Sequence, residues 1–153
     1  MIFGNPFLFA IQIDVVSEWN ARDDIWRNGL FCLYLNGERL FDTVDIFELR
    51  TTMGSYKNAD IDKLPVNAND LDSAYLYKNA EEYLSGNKGF PFEGLFDMTC
   101  TAMSDNQCYL YFIKTIKGDR FLWSLDNGKS ISEVTLPAGT VSDVIRKLDG
   151  LSL

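Results

Sequence analysis

Between Gln107 and Leu136 the chain reads QCYLYFIKTI, RFLWSLD and SISEVTL, with only KGD and NGK between the runs. Apolar stretches of this length, rich in aromatic and β-branched residues, are strand signals. Connections this short suit hairpins, so the strands are read as an antiparallel sheet. LFDMTCTAM, joined through SDN, reads as one strand more. If Met103 faces Gln107 across that turn, then Cys100, Ala102, Cys108, Leu110 and Phe112 share one face, which becomes core.

Around this sheet the pattern predicts two helices. DLDSAYLYKNAEEYLSG has Asp70 as a cap, an inner stripe of Leu76, Ala80, Tyr83 and Leu84, and Gly86 to end it. TVSDVIRKLDG places Val141, Val144, Ile145 and Leu148 at the spacing of one helical face, with Arg146 and Lys147 in the last turn, where the dipole favours cations. The expected fold is α+β: a single domain over residues 1–153, with an antiparallel β-sheet of about six strands and two α-helices at about 70–85 and 140–149. Residues 42–69 are ambiguous between strand, short helix and loop.

The opening MIFGNPFLFAIQIDVVSEW admits three readings: an export signal, a membrane anchor or a first strand. No Lys or Arg precedes Arg22, so the charged region of a signal peptide is missing. The apolar run is broken by Gln12 and Asp14 and falls short of the ~20 residues that span a bilayer. A strand fits, because Phe7, Phe9, Ile11, Ile13 and Val15 alternate onto one face. Gly4-Asn5-Pro6 marks a turn before it. Asn36-Gly37, between the apolar runs of LFCLYLNGERLF, is a strong hairpin signal.

Chemistry is harder to find. The chain has no His, which removes Ser-His-Asp triads, Cys-His pairs and the common zinc sites. There is no GxxxxGK[ST] and no GxGxxG. DIDKLPVNANDLD has the carboxylate density of a calcium loop but lacks the glycine and spaced Glu of an EF-hand. Its three cysteines, Cys32, Cys100 and Cys108, form no CxxC and sit in apolar runs, as reduced core thiols of a cytoplasmic protein do. No catalytic residue, cofactor or metal is expected. A carboxylate-dependent small hydrolase stays open, because 22 acidic side chains make chance pairs inevitable.

The net charge is −8, which opposes binding to nucleic acid or anionic membrane and favours a basic partner, although solubility alone explains many acidic chains. The charge is uneven. Nine acids (Asp42, Asp45, Glu48, Asp60, Asp62, Asp70, Asp72, Glu81 and Glu82) and four bases leave residues 42–82 with −5 of it. Asp70 and Asp72 suit a helix start, whereas Glu81 and Glu82 oppose the dipole at a helix end. A second acidic spot, RDDIW, places Asp23 and Asp24 beside Trp26. An exposed Trp there is an anchor for a basic protein, and a buried Trp is the commoner outcome.

MIFGNP at residues 1–6, FAI at 9–11, Trp19 and NGLF at 28–31 together resemble the start of the bacterial immunity proteins of family forty-two in polymorphic toxin systems. DRFLWSLDNG is similar in style. The resemblance covers the first 40 residues well and the rest loosely, and its motifs are structural. It implies a small cytoplasmic α+β protein that binds and neutralises a cognate toxin domain, within a contact-dependent growth inhibition system. The toxin is expected to be a basic nuclease encoded by an adjacent gene and bound 1:1. The toxin-binding candidates are Asp23, Asp24, Trp26, Asp42, Asp45, Glu48, Asp60, Asp62, Glu81 and Glu82. The competing classes are the carboxylate hydrolase and a non-toxin regulatory adaptor.

Overall fold

The computed structural model describes residues 1–41 and 44–153. The strands are β1 (Ile2–Gly4), β2 (Phe9–Val15), β3 (Asn28–Leu35), β4 (Glu38–Arg39), β5 (Phe47–Glu48), β6 (Phe96–Asp97), β7 (Tyr109–Thr115), β8 (Gly118–Ser124) and β9 (Ser132–Leu136). The helices are α1 (Leu49–Lys57), α2 (Ser73–Leu84), α3 (Thr101–Asp105) and α4 (Thr140–Asp149). The class is α+β, as expected, with two antiparallel sheets, of five and four strands, in place of one sheet of about six. The chain divides into two compact units: Met1–Ile61 with Thr140–Leu153, and Asp62–Gly139.

In the first unit β3 is central. It pairs with β2 from Val15↔Gly29 to Phe9↔Leu35 on one side, and with β4 and β5 on the other. The alternation read from the sequence sets the inner face: Phe9, Ile11, Ile13, Phe31, Leu33 and Leu35 are buried. Phe7 and Val15, at the ends of the same alternation, are exposed because the ladder stops short of one and at the other. Asn36 and Gly37 both have positive φ, as a two-residue hairpin turn demands. β1 is an addition to the reading: its three residues pair back onto β2 beyond the turn. α4 packs on β1, β2 and α1, with Val141, Val144, Ile145 and Leu148 all buried.

Gly29 has no room for a side chain. A Cβ there would lie 2.2 Å from the Asp14 carbonyl oxygen on β2 and 2.7 Å from Leu49 Cδ1 on α1.

In the second unit the order is β6-β7-β8-β9. One face holds Tyr111, Ile113 and Leu122, and α2 covers it with Leu76 and Ala80, helped by Phe92 and Leu95. The opposite face buries Leu110 and the cross-strand pair Phe112–Phe121, whose rings are 5.4 Å apart. Arg120, itself buried, ties the sheet to the helix start. Its Nε and Nη2 donate to Glu133 Oε2 at 2.8 and 2.6 Å, and its Nη1 donates to the Leu71 carbonyl at 2.6 Å.

Three local expectations are corrected. The cap of α2 is Asp72, whose carboxylate accepts from Tyr75 N at 3.1 Å, while Asp70 pairs with Lys117. Leu84 of the proposed inner stripe is exposed, because α2 turns that position out of the core at its last residue. The stretch read as the strand LFDMTCTAM is mostly not one: only Phe96 and Asp97 pair with β7, and α3 follows. The Met103–Gln107 register therefore does not form, although Cys100, Ala102, Cys108, Leu110 and Phe112 are all buried. No disulfide joins the three cysteines. Cys32 is half-buried, the other two are buried, and burial raises Cys32 and Cys108 above the ordinary thiol range.

The packing at Gly29 gives a direct test. Gly29→Ala is expected to cost at least about 2 kcal/mol in urea unfolding, since the atoms in the way are backbone and a buried Leu. A loss below about 0.5 kcal/mol would mean the β2–β3–α1 contact is looser than described.

Candidate functional site

RDDIW and the start of the acidic stretch 42–82 flank one short ladder in the first unit. β5 pairs with β3 through Asn28↔Glu48 and Gly29↔Phe47. Residues 20–27 lead into β3 at one end of this ladder, and residues 44–46 lead into β5 at the other. The separation is a few strand residues, on the order of 15 Å, so one partner of ordinary footprint spans both.

The segment before β3 is held at its base by Asn20. Its Nδ2 donates to the carbonyls of Val16 (2.7 Å) and Asn28 (2.9 Å), and its Oδ1 accepts from Asn28 N (2.7 Å). Arg27 Nη1 donates to the carbonyls of Asp24 (3.1 Å) and Trp26 (3.2 Å). Arg50 of α1 donates to the carbonyl of Ile25 and, through Nε at 3.0 Å and Nη2 at 2.7 Å, to that of Leu153. Asp24 Oδ1 accepts from Trp26 N at 3.1 Å, an Asx turn that orients the Trp backbone. Two guanidinium groups and an amide thus fix a loop that has no regular structure.

What the loop presents is acidic and apolar together. Asp23 is exposed and Asp24 half-buried. Trp26 is 53% exposed and Ile25 71%, so the commoner, buried outcome for this Trp is not the one found. The neighbouring segment repeats the combination: Asp45 is exposed between Val44 at 66% and Ile46 at 61%. Large apolar side chains this exposed make the two segments candidates for a recognition surface.

Glu48 has an internal role. It caps α1, with Oε1 accepting from Arg27 N (3.1 Å) and Arg50 N (3.3 Å), and Oε2 from Thr51 N (2.6 Å). Partial burial pushes its carboxyl up, but the hydrogen bonds from Thr51, Arg27 and Arg50 outweigh that and hold it below the usual carboxylate range. Asp60 is exposed, with φ of 46°. Asp62, Glu81 and Glu82 are exposed in the second unit, the last two in the final turn of α2. Asp42 lies outside the described residues. Among the described residues no group of three or more Cys, Asp or Glu is arranged to hold a metal ion.

Ile25, Val44 and Ile46 were not among the sequence candidates. Their signal was faint: Ile46 alternates with the buried Phe47 across β5, and Ile25 sits between Asp24 and Trp26.

Fold and surface together define an α+β protein built on two antiparallel sheets, with carboxylates and large apolar side chains exposed side by side in residues 23–26 and 44–46. The same fold occurs in the crystal structure of CdiI from Burkholderia dolosa AUO158. The TM-score is 0.74 over 99% of this chain and 100% of that one, at 18% identity. The sequence profile of the family Immunity protein 42 matches residues 1–150, and the chain belongs to that family. No curated protein matches it. No helix among the described residues is long and apolar enough to cross a membrane.

The cap on α1 gives a pH test. The folded-state carboxyl of Glu48 lies below its unfolded value, so its contribution is present above the unfolded value and is lost as pH falls through the folded one. Glu48→Gln is expected to lower stability by about 0.5 kcal/mol at neutral pH, solvent screening keeping the effect small. That difference vanishes at acid pH. A pH-independent difference in urea unfolding would show that the amide fails as a cap for reasons other than charge.

Proposed function

We propose that this protein binds and neutralises a cognate toxin domain by protein–protein contact. Residues 23–26 and 44–46, flanking the β3–β5 ladder, form the principal contact. Membership of an immunity-protein family supports the class of activity. The observation that carries the surface is the exposure of Trp26 and its apolar neighbours Ile25, Val44 and Ile46 among the carboxylates of Asp23, Asp24 and Asp45.

The physical reading is that of an interface with a hydrophobic anchor and an acidic surround. Trp is the residue most enriched at energetic hot spots, because one side chain buries a large area at little entropic cost. The loop that holds it is already fixed by Asn20, Arg27 and Arg50, so little ordering remains to be done on binding. Carboxylates around the anchor attract a basic partner and speed encounter. Asp60, Asp62, Glu81 and Glu82 add to that long-range attraction, and Asp42 belongs to the same acidic segment. A nuclease must leave its cleft positive for phosphate, so a basic nuclease domain, encoded beside this gene and bound 1:1 in the cytoplasm, is the partner this surface suits. The likeness to a CdiI supports delivery by contact-dependent inhibition.

Binding kinetics against the toxin domain of the neighbouring gene, with growth protection measured in parallel, test the proposal. Trp26→Ala is expected to speed dissociation roughly 30-fold or more, the loss of a hot spot of about 2 kcal/mol. Asp23→Asn with Asp45→Asn is expected to slow association at low salt and to matter little at high salt. Unchanged rates for all three substitutions, with full protection retained, would move the contact elsewhere. Absence of binding by the unaltered protein would overturn the immunity reading for that toxin.

A further inference from the structure

The second unit carries a cleft of about 440 Å³ lined by Tyr77, Glu81 and Leu84 of α2 and by Asp97, Tyr109 and Tyr111 of β6 and β7. Ordinary periodicities bring these six together. Tyr77, Glu81 and Leu84 follow the i, i+4, i+7 spacing of one helix face. Tyr109 and Tyr111 are two apart on one strand, and Asp97 lies directly opposite Tyr111 in the β6–β7 register.

The walls have a definite chemistry. Tyr77 meets Tyr111 edge to face with ring centroids 5.4 Å apart, and Tyr109 and Tyr111 are parallel at 6.5 Å. Burial, and after it the charge of Asp97, holds the Tyr111 phenol protonated well above its usual range, so its ring is a neutral π-face. Asp97 is steadied by accepting from Thr99 N at 2.9 Å through Oδ1. The cleft is lined by two carboxylates, Glu81 and Asp97, against one ammonium, that of Lys78.

The hydroxyl of Tyr77 is buried and makes no hydrogen bond among the described residues. Ser124 lies beside it, but the Ser124 hydroxyl donates to Asp126 Oδ1 (2.8 Å) and accepts from Gly128 N (2.7 Å).

We propose that this cleft receives an arginine side chain presented by the toxin domain, its guanidinium lying on the phenol rings with Glu81 and Asp97 as counter-ions. The proposal rests on the immunity reading for the source of the arginine. It deepens that reading by naming a second contact and its chemistry. Other occupants fit less well. An anion meets two carboxylates. A neutral aromatic group would desolvate both carboxylates without pairing either. A lysine ammonium pairs as a point charge but cannot stack. A guanidinium is planar, weakly hydrated and carries five donors, so it serves the rings and both carboxylates at once.

The test has two arms. In the first, the full chain is titrated with N-acetyl-arginine methylamide and followed by two-dimensional NMR, with the citrulline analogue as a neutral isostere. Saturable shifts at Tyr77, Tyr109, Tyr111 and Asp97 are expected, at least ten-fold weaker for citrulline and lost in Glu81→Gln with Asp97→Asn. Both positions are exposed, and the unperturbed remainder of the same spectrum verifies that the variant is folded. Equal response to citrulline, shifts elsewhere or no shifts would overturn guanidinium recognition. In the second arm, the same double variant and Tyr109→Ala are expected to raise the Kd for the neighbouring toxin domain at least ten-fold. Wild-type affinity in both variants would overturn the toxin as the source of the arginine, whatever the probe does. If the unaltered protein binds no toxin, the immunity reading fails, and with it the toxin as source, while the first arm still decides guanidinium recognition.

Discussion

The described surface of the first unit depends on the absence of one side chain. At Gly29 the Asp14 carbonyl oxygen would sit 2.2 Å from a Cβ and Leu49 Cδ1 2.7 Å from it. With glycine there, β2 closes on β3 from one side, β5 pairs from the other, and α1 packs its first residue onto the same point. The β5 pairing then places Glu48 where it caps α1 and accepts from Arg27 N, and places Arg50 where it reaches the Ile25 carbonyl. Loop 20–27 and segment 44–46 are thereby fixed at the two ends of one ladder. A steric requirement in the sheet becomes a positional requirement on the candidate contact residues.

The carboxylates then divide by their work. Glu48 is engaged by three backbone N–H groups, Asp72 caps α2, and Asp70 pairs with Lys117, whose hydrogen bond holds its carboxyl below the usual range. These are structural uses, and a partner that took them over would have to replace them. Asp23, Asp45, Glu81 and Glu82 are exposed, where their charge is open to a partner. An acidic surplus therefore overstates the acidic surface available to a partner, and counting charges along a segment does not locate an interface.

Much of the fold was legible because periodicity and turn chemistry are local. α4 is found at its predicted limits, the Asn36-Gly37 hairpin has the positive φ values it needs, and β2, β7, β8 and β9 follow from alternation and short connections. What was not legible depends on distant partners. β1 and β5 have three and two residues, too few for a pattern, and exist because β2 and β3 offer free edges. Residues 95–103 are apolar enough for a strand, yet only two residues of β6 pair before α3 begins at Thr101. The candidate site was legible in part. The pairing of carboxylates with Trp26 was visible in RDDIW, but the approach of residues 44–48 to that loop rests on the β3–β5 register, which no local signal specifies. The tyrosine cleft needs three elements at once and had no signature in the chain.

Hydrogen–deuterium exchange on the unaltered protein, alone and with the toxin domain proposed to be encoded beside it, tests the central claim most directly. Because Asn20, Arg27 and Arg50 already order the loop, protection on binding reports coverage by the partner and not folding of the segment. The account predicts that amides of residues 23–27 and 44–48 slow together in the complex, while α4 and the centre of β2 keep their free-state rates. A complex in which those two segments exchange as in the free protein, with protection confined to other parts of the chain, would contradict it.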